Sequence, residues 1–197
     1  MVRRRCLWQI GEREGKVMLL NAHTYYSLKF GTWKPNDLLQ QAVEYGYDSI
    51  CITDINNTSA CLDCIRLGYK RGIKVIPGVD FRNGAEQQFV AIAKSNSGFE
   101  NINRLLTHHS HTEEPIPSIA PEMDDVTIVY PLARLLEDFS VELRDSMLET
   151  GYIGVNPSDL PRLRFSPMRR FADKMVVLAT VSFQSQKNFN AHRLLRA

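Results

Sequence analysis

The first eighty residues alternate two kinds of run, and that alternation restricts the fold more than anything else in the chain. Short apolar, β-rich stretches at 17–20, 48–53 and 73–76 are separated by amphipathic stretches at 35–45 and 59–71. In the first amphipathic stretch Leu38, Leu39, Ala42 and Val43 share one helical face. Pro35 near its start and Gly46 past its end are the punctuation of a helix. Gly72 stops the second stretch in the same way. Two consecutive strand–helix–strand units imply parallel pairing with right-handed crossovers. Folds of this kind bind ligands at the carboxyl ends of their strands.

The rest of the chain continues the alternation. Residues 88–93 read as a fourth strand, and 98–107 as a helix with Phe99, Ile102, Leu105 and Leu106 in register. Further strands are expected at 126–130, 152–155 and 175–180, and helical segments around 132–147, 158–164 and 167–174. About seven strands alternating with helices predict one α/β domain, a seven-stranded (β/α) barrel rather than two domains. A chain of 197 residues suits that size.

Four of the apolar runs lead into a segment that carries, or nearly carries, a residue type able to hold a metal. His23 follows the first in the segment Asn21-Ala-His-Thr, and Asp54 follows the second in Thr53-Asp-Ile. Asp80 follows the third in Pro77-Gly-Val-Asp. The last run leads into Ala179-Thr-Val-Ser182. These positions are expected to converge in space at one end of the sheet although they lie far apart in the chain. No Gly-rich phosphate loop is present, and neither Ser27 nor Ser182 has a base partner readable from spacing.

These residues resemble the PHP family, named for polymerases and histidinol phosphatase. The resemblance implies a distorted barrel of the PHP type. Metal-competent members carry His-x-His, Thr-Asp-His, Gly-x-Glu, a His opening a later strand and a final Asn-Asp-x-His. Their metals activate water and neutralise a phosphate ester. Here Asn21 replaces the first His, Ile55 the His after Asp54, Asp80 the Glu, Gln88 the strand-opening His, and Thr180 and Ser182 the final Asp and His. His23, Asp54 and Asp80 survive as vestigial metal-site positions. Three ligands could hold one weak Mg²⁺ or Mn²⁺. They are too few for a metal cluster, so no resident cofactor and no catalytic residue are expected. The plain alternative is that all three are hydrogen-bonded at strand ends.

Within that family the sequence is similar to the PHP domain at the N-terminus of the bacterial DNA polymerase III alpha subunit. Leu19-Leu-Asn-Ala-His-Thr-Tyr-Tyr-Ser27, Ile52-Thr-Asp-Ile-Asn-Asn-Thr58, Gly72-Ile-Lys-Val-Ile-Pro-Gly78, Ala93-Lys-Ser-Asn-Ser-Gly-Phe99 and Phe189-Asn-Ala-His-Arg-Leu-Leu-Arg-Ala197 carry the likeness. It extends over 18–197, with 1–17 expected to be an extension that need not be native. The final helix has no stop signal, so the sequence reads as a domain truncated before the polymerase core. The resemblance implies a non-catalytic scaffold in DNA replication. Its partners would be the remainder of the polymerase chain, a proofreading exonuclease subunit, and DNA through the assembled polymerase. The rival implied by the same family is a metal-dependent phosphoesterase or 3′–5′ proofreading exonuclease. The parent activity, DNA-directed nucleotidyl transfer, is not expected of this sequence alone.

Charge adds one local signal. The net charge is +2, too small to imply a nucleic-acid or membrane partner. From 162 to 196, however, eight basic residues face only one acid, Asp173. Arg162, Arg164, Arg169 and Arg170 are candidate phosphate contacts there. The competing reading is a solvated helix face or a docking surface. The chain contains no run approaching ~20 apolar residues and no signal-peptide pattern, which leads to the expectation of a cytoplasmic protein without a membrane partner. Cys61-Leu-Asp-Cys64 has a zinc-like spacing without a second pair. Packed thiols are the expected reading. His108-His-Ser-His111 is read as a solvated helix end.

Overall fold

The computed structural model describes residues 18–136 and 139–196. The proposed extension at 1–17, Cys6 within it, and the terminal Ala197 lie outside the described residues. Eight strands form one mixed sheet in the order β7-β6-β5-β4-β3-β2-β1-β8, curled into a half-barrel.

The first two strands follow the sequence closely, and the third begins where it is expected. β1 (Met18–Ala22), β2 (Ser49–Ile52) and β3 (Lys74–Asn83) pair in parallel. α1 (Pro35–Glu44) and α2 (Cys61–Arg71) form the crossovers. α1 buries Pro35, Leu38, Leu39 and Ala42, whereas Val43 is exposed. α2 ends on Gly72 in the left-handed region, with φ of 70°, which glycine adopts without steric cost.

β3 runs on past Ile76 for seven residues and turns back into β4 (Glu86–Ala93) as an antiparallel hairpin through Gly84, where φ is +60°. β4 pairs antiparallel with β5 (Val126–Pro131), and parallel pairing resumes from β5 to β6 (Tyr152–Val155) and β7 (Met175–Val177). The single late strand expected at 175–180 is divided. Leu178 and Ala179 leave the ladder, and β8 (Thr180–Val181) pairs with β1 instead. This division brings the strand count to eight.

The helices differ in their bounds. α3 spans Asn96–Thr112, capped by the Ser95 hydroxyl, which accepts from Gly98 N at 3.2 Å. The single helix expected around 132–147 is two, α4 (Leu132–Leu135) and α5 (Val141–Thr150). α5 starts afresh at Ser140, whose side chain accepts from Leu143 N. A 3₁₀ turn at Pro157–Asp159 leads into α6 (Leu160–Arg164), a second 3₁₀ segment covers Pro167–Lys174, and α7 is Gln186–Arg196.

Strand alternation divides the core. One cluster packs α1 and α2 on β1–β3, and another packs Phe81, Phe89, Ala91, Ile102, Leu132 and Ile153 beneath the later helices. Cys51, Val90, Ile92, Val129 and Leu178 fill the concave face between them. Because side chains alternate along a strand, Asp80 between Val79 and Phe81, and Gln88 before Phe89, project to the concave side with Val90. Among the described residues no helix is long and apolar enough to cross a membrane.

Candidate functional site

Asp54 lies two residues past β2 and is fully buried. Its Oδ1 accepts from the Thr24 backbone N and from Ser27 Oγ, both at 2.6 Å, and its Oδ2 accepts from Thr24 Oγ1 at 2.6 Å. Ser27 Oγ in turn accepts from Ile55 N at 2.9 Å. The carboxylate therefore gathers the loop after β1 around itself with short, charge-assisted hydrogen bonds. Gly31 completes the loop: a Cβ there would stand 1.8 Å from the Thr24 carbonyl oxygen.

His23 and Asp80 form the second centre. His23 Nε2 is 3.0 Å from Asp80 Oδ2, and its Nδ1 is 2.9 Å from Ser182 Oγ. Arg82 Nη2 donates to the same Asp80 oxygen at 2.7 Å, and Asn21 Nδ2 reaches it at 3.5 Å. Asn21 also donates to Thr180 Oγ1 at 2.9 Å and accepts from Thr53 Oγ1 at 2.7 Å. Burial would raise the Asp80 carboxyl pKa, but hydrogen bonds and charge from His23 and Arg82 outweigh it and hold the pKa below its ordinary value.

The strand-end residues thus converge as expected, with one division. His23, Asp80, Asn21, Thr180 and Ser182 share one network, which Thr53 joins by donating to Asn21. The Asp54 carboxylate bonds into the Thr24–Ser27 loop instead. Gln88 is buried and donates to Glu86 O at 3.3 Å. Ile55 is half-buried and forms a bridge with Asp80 through the backbone.

This donor set does not fit a divalent cluster. Both His23 nitrogens, both Asp54 oxygens and Asp80 Oδ2 already have protein partners. Asp80 Oδ1 and Gln88 Oε1 are the buried oxygens of these residues without a partner. Among the described residues no group of three or more His, Cys, Asp and Glu is placed to hold a metal ion.

The remaining candidates are dispersed. Arg162, Arg164, Arg169 and Arg170 are exposed. Arg170 is paired with Asp145 at 2.5 Å and lies over the Phe171 ring, and Arg169 donates to Arg164 O. His109 and His111 sit in the last turn of α3, and His108 is 3.6 Å from Glu114, as a solvated helix end requires. Cys51, Cys61 and Cys64 are free and buried. Desolvation pushes each thiol up to about 12. The strand ends that carry the His23–Asp80 network form the mouth of the half-barrel, and a cleft of about 770 Å³ on the Arg82 side is lined by Asn56, Arg82, Asn83, Asn103 and His109, among others. Asn56 and Asn83 there brace the backbones of Arg82 and Ile116.

Sequence reasoning placed Ser182 at this end of the sheet but missed its partner, and it missed the roles of Ser27 and Arg82. Ser182 does have an imidazole partner, but one 159 residues away. Ser27 serves Asp54, and Arg82 serves Asp80. Arg82 is legible only once β3 is known to continue past Ile76, since residues two apart on a strand share a face.

An α/β half-barrel with buried polar residues gathered at its strand ends is the architecture of a PHP-type domain. The chain belongs to the PHP domain family, whose model matches residues 20–146. It is 27% identical over 125 residues to an error-prone DNA polymerase of Symbiobacterium thermophilum, covering 60% of this chain and 12% of that protein. It is 29% identical over 100 residues to a DNA polymerase III subunit alpha of Buchnera aphidicola, covering 48% and 9%. A DNA polymerase III subunit alpha of Ureaplasma parvum is 27% identical over 110 residues, covering 56% and 11%. The chain therefore matches about a tenth of the length of these relatives. In fold it is similar to a metal-dependent phosphoesterase from Bifidobacterium adolescentis, with a TM-score of 0.58 and 12% identity, covering 90% of this chain and 91% of that one. A two-domain PHP-like protein from Bacteroides vulgatus gives a TM-score of 0.52 at 13% identity, covering 93% and 60%.

Proposed function

We propose that this domain is the N-terminal PHP domain of a replicative DNA polymerase, acting in the cytoplasm as a non-catalytic scaffold. The observation that carries the reading is the commitment of His23, Asp54 and Asp80 to internal hydrogen bonds. The atoms that would ligate metal instead tie β1, β2, β3 and β8 together. On this reading the three are vestigial metal-site positions, and Asn21, Ile55, Gln88, Thr180 and Ser182 mark the loss of hydrolysis. The sequence similarity to polymerase subunits supports the replication context.

The partners we infer are the rest of a polymerase and a proofreading exonuclease subunit. α2 leaves Leu62 and Tyr69 largely exposed and Ile65 partly so, and Tyr25, Tyr26 and Leu28 are also exposed. Apolar surface of this kind favours a protein partner. DNA contact would be indirect or through Arg162, Arg164 and Arg169, since Arg170 is already paired with Asp145.

The second reading, a metal-dependent phosphoesterase or 3′–5′ exonuclease using His23, Asp54 and Asp80, draws on the fold likeness to a metal-dependent phosphoesterase. One experiment separates them. The chain is incubated with Mn²⁺ and either p-nitrophenyl phosphate or a 3′-labelled oligonucleotide, beside His23→Ala and Asp80→Asn. Equal background in all three is expected. Turnover lost in both variants would establish the enzyme. Surface plasmon resonance with a purified exonuclease subunit tests the scaffold role, and absence of binding to it and to polymerase partners would refute that role.

A further inference from the structure

We propose that Arg82 is the resident cation of this domain. Its guanidinium neutralises Asp80 where a metal-competent relative would use an added ion, and it keeps a divalent ion from binding at the mouth. The inference rests on the reading of the mouth as non-hydrolytic and is independent of the polymerase assignment.

Three observations carry it. The first is the charge balance. Asp80 is fully buried, and an uncompensated carboxylate there would be strongly disfavoured. Asp54 has its own three donors, from Thr24 and Ser27. Among the described residues Asp80 meets one permanent positive charge, Arg82, at 2.7 Å. His23 is the other partner of the same oxygen and is charged only when protonated.

The second is how firmly Arg82 is held. The ladder between β3 and β4 shifts register between Phe81 and Arg82. There Asn56 grips the Arg82 backbone from both sides, accepting from its N at 2.9 Å and donating to its O at 2.8 Å. The side chain is only 14% exposed, and its guanidinium carbon lies 5.8 Å from the centre of the Phe30 ring. An arginine that served only solubility would not be fixed at backbone, ring and carboxylate together.

The third is what remains unpartnered. Asp80 Oδ1, Gln88 Oε1 and Arg82 Nε are buried without protein partners. Two acceptors and one donor left over are groups that a neutral molecule able to donate and accept, such as water, would satisfy. A divalent ion could use the acceptors alone, and the guanidinium would repel it.

The test uses Mn²⁺ alone, with unbound Mn²⁺ read by its electron paramagnetic resonance signal. Wild type and Arg82→Lys, which keeps the charge, are expected to show no saturable binding. Arg82→Ala is expected to show saturable Mn²⁺ binding, at least tenfold tighter than the weakest binding the assay detects, and Arg82→Ala/Asp80→Asn to lose it. Equal Mn²⁺ affinity in wild type and Arg82→Ala would overturn the proposal. If Arg82→Ala fails to fold, urea midpoints decide. The double variant should be more stable than Arg82→Ala, because the unpaired buried charge is gone. A double variant no more stable than Arg82→Ala would show that Arg82 is not the counter-ion of Asp80. Hydrolysis by wild type with Mn²⁺ would instead refute the non-hydrolytic reading, and that result is read in a separate assay.

Discussion

His23 Nε2 and Asp80 Oδ2 lie 3.0 Å apart, both almost wholly buried, and Arg82 donates to the same oxygen. Against the cost of burial, these partners hold the Asp80 pKa below its ordinary value. A carboxyl depressed in the folded state stabilises that state above its unfolded pKa, about 3.9, and the contribution is lost as pH falls toward the folded value. Asp80→Asn should therefore lower stability at pH 7 by about 3 kcal/mol, because it leaves Arg82 without its carboxylate. The gap to wild type should narrow progressively below pH ~4. Urea midpoints of both proteins at pH 7, 5, 4 and 3 check this. A gap that stayed constant to pH 3 would contradict the pairing.

Asp54 makes a different prediction, because its partners are neutral donors in a loop. Asp54→Asn replaces one acceptor oxygen with a donor that must face the Thr24 or Ser27 groups. The loss is about 3 kcal/mol, since hydrogen bonds to charged groups contribute roughly 1.5–3 kcal/mol each. In a chain of this size that lowers Tm by about 6–12 °C. Thr24→Ser keeps the hydroxyl donor and should cost about 1 kcal/mol. Thermal melts followed by circular dichroism compare the two.

The contrast between these sites shows what a single sequence can disclose. Pro35, Gly46 and Gly72 announce helix ends through local backbone chemistry, so the first two crossovers were legible. Strand-end ligand types were legible as positions, and the sheet brings His23, Asp80 and Ser182 together. The roles were not. Whether a carboxylate faces a metal or a hydroxyl depends on partners far along the chain, and Ser182 reaches His23 across 159 residues. The β3–β4 hairpin was obscured because Pro77-Gly78 looks like the end of a strand, although Asn83-Gly84 is a strong turn signal. Without the continuation of β3, Arg82 could not be placed on the face of Asp80.

Gly31 tests the loop that enfolds Asp54. A Cβ at this position would meet the Thr24 carbonyl oxygen at 1.8 Å and its carbon at 2.6 Å. Those are backbone atoms of the residue that bonds both Asp54 oxygens, so they cannot move without breaking the cluster. Gly31→Ala should cost more than about 3 kcal/mol, in the range of severe backbone clashes. Gly84→Ala is the control. Nothing lies within 4 Å of its Cβ position, and only the φ of +60° opposes the substitution. It should cost about 1–2 kcal/mol. Similar losses for the two would argue against a special role for the Gly31 approach.

The three described thiols give the last prediction. Cys51, Cys61 and Cys64 are fully buried, and desolvation pushes each up to about 12. The thiolate is the nucleophile and the metal ligand, so a thiol held this far above neutrality is inert to both chemistries. Cys61 Sγ is also oriented toward the carbonyls of Ile52 and Gly78, at 3.8 and 3.9 Å, where it acts as a weak donor in the packing of α2 on β2 and β3. At pH 8 these thiols should react with dithiobis(nitrobenzoic acid) on the order of 10³-fold more slowly than a free cysteine. In a Cys6→Ser background, native protein should release almost no thionitrobenzoate. The same sample in denaturant should release three equivalents, one for each of Cys51, Cys61 and Cys64. Rapid labelling of Cys61 and Cys64 in the native state, suppressed by Zn²⁺, would instead identify a working thiolate pair and overturn the reading of packed, structural cysteines.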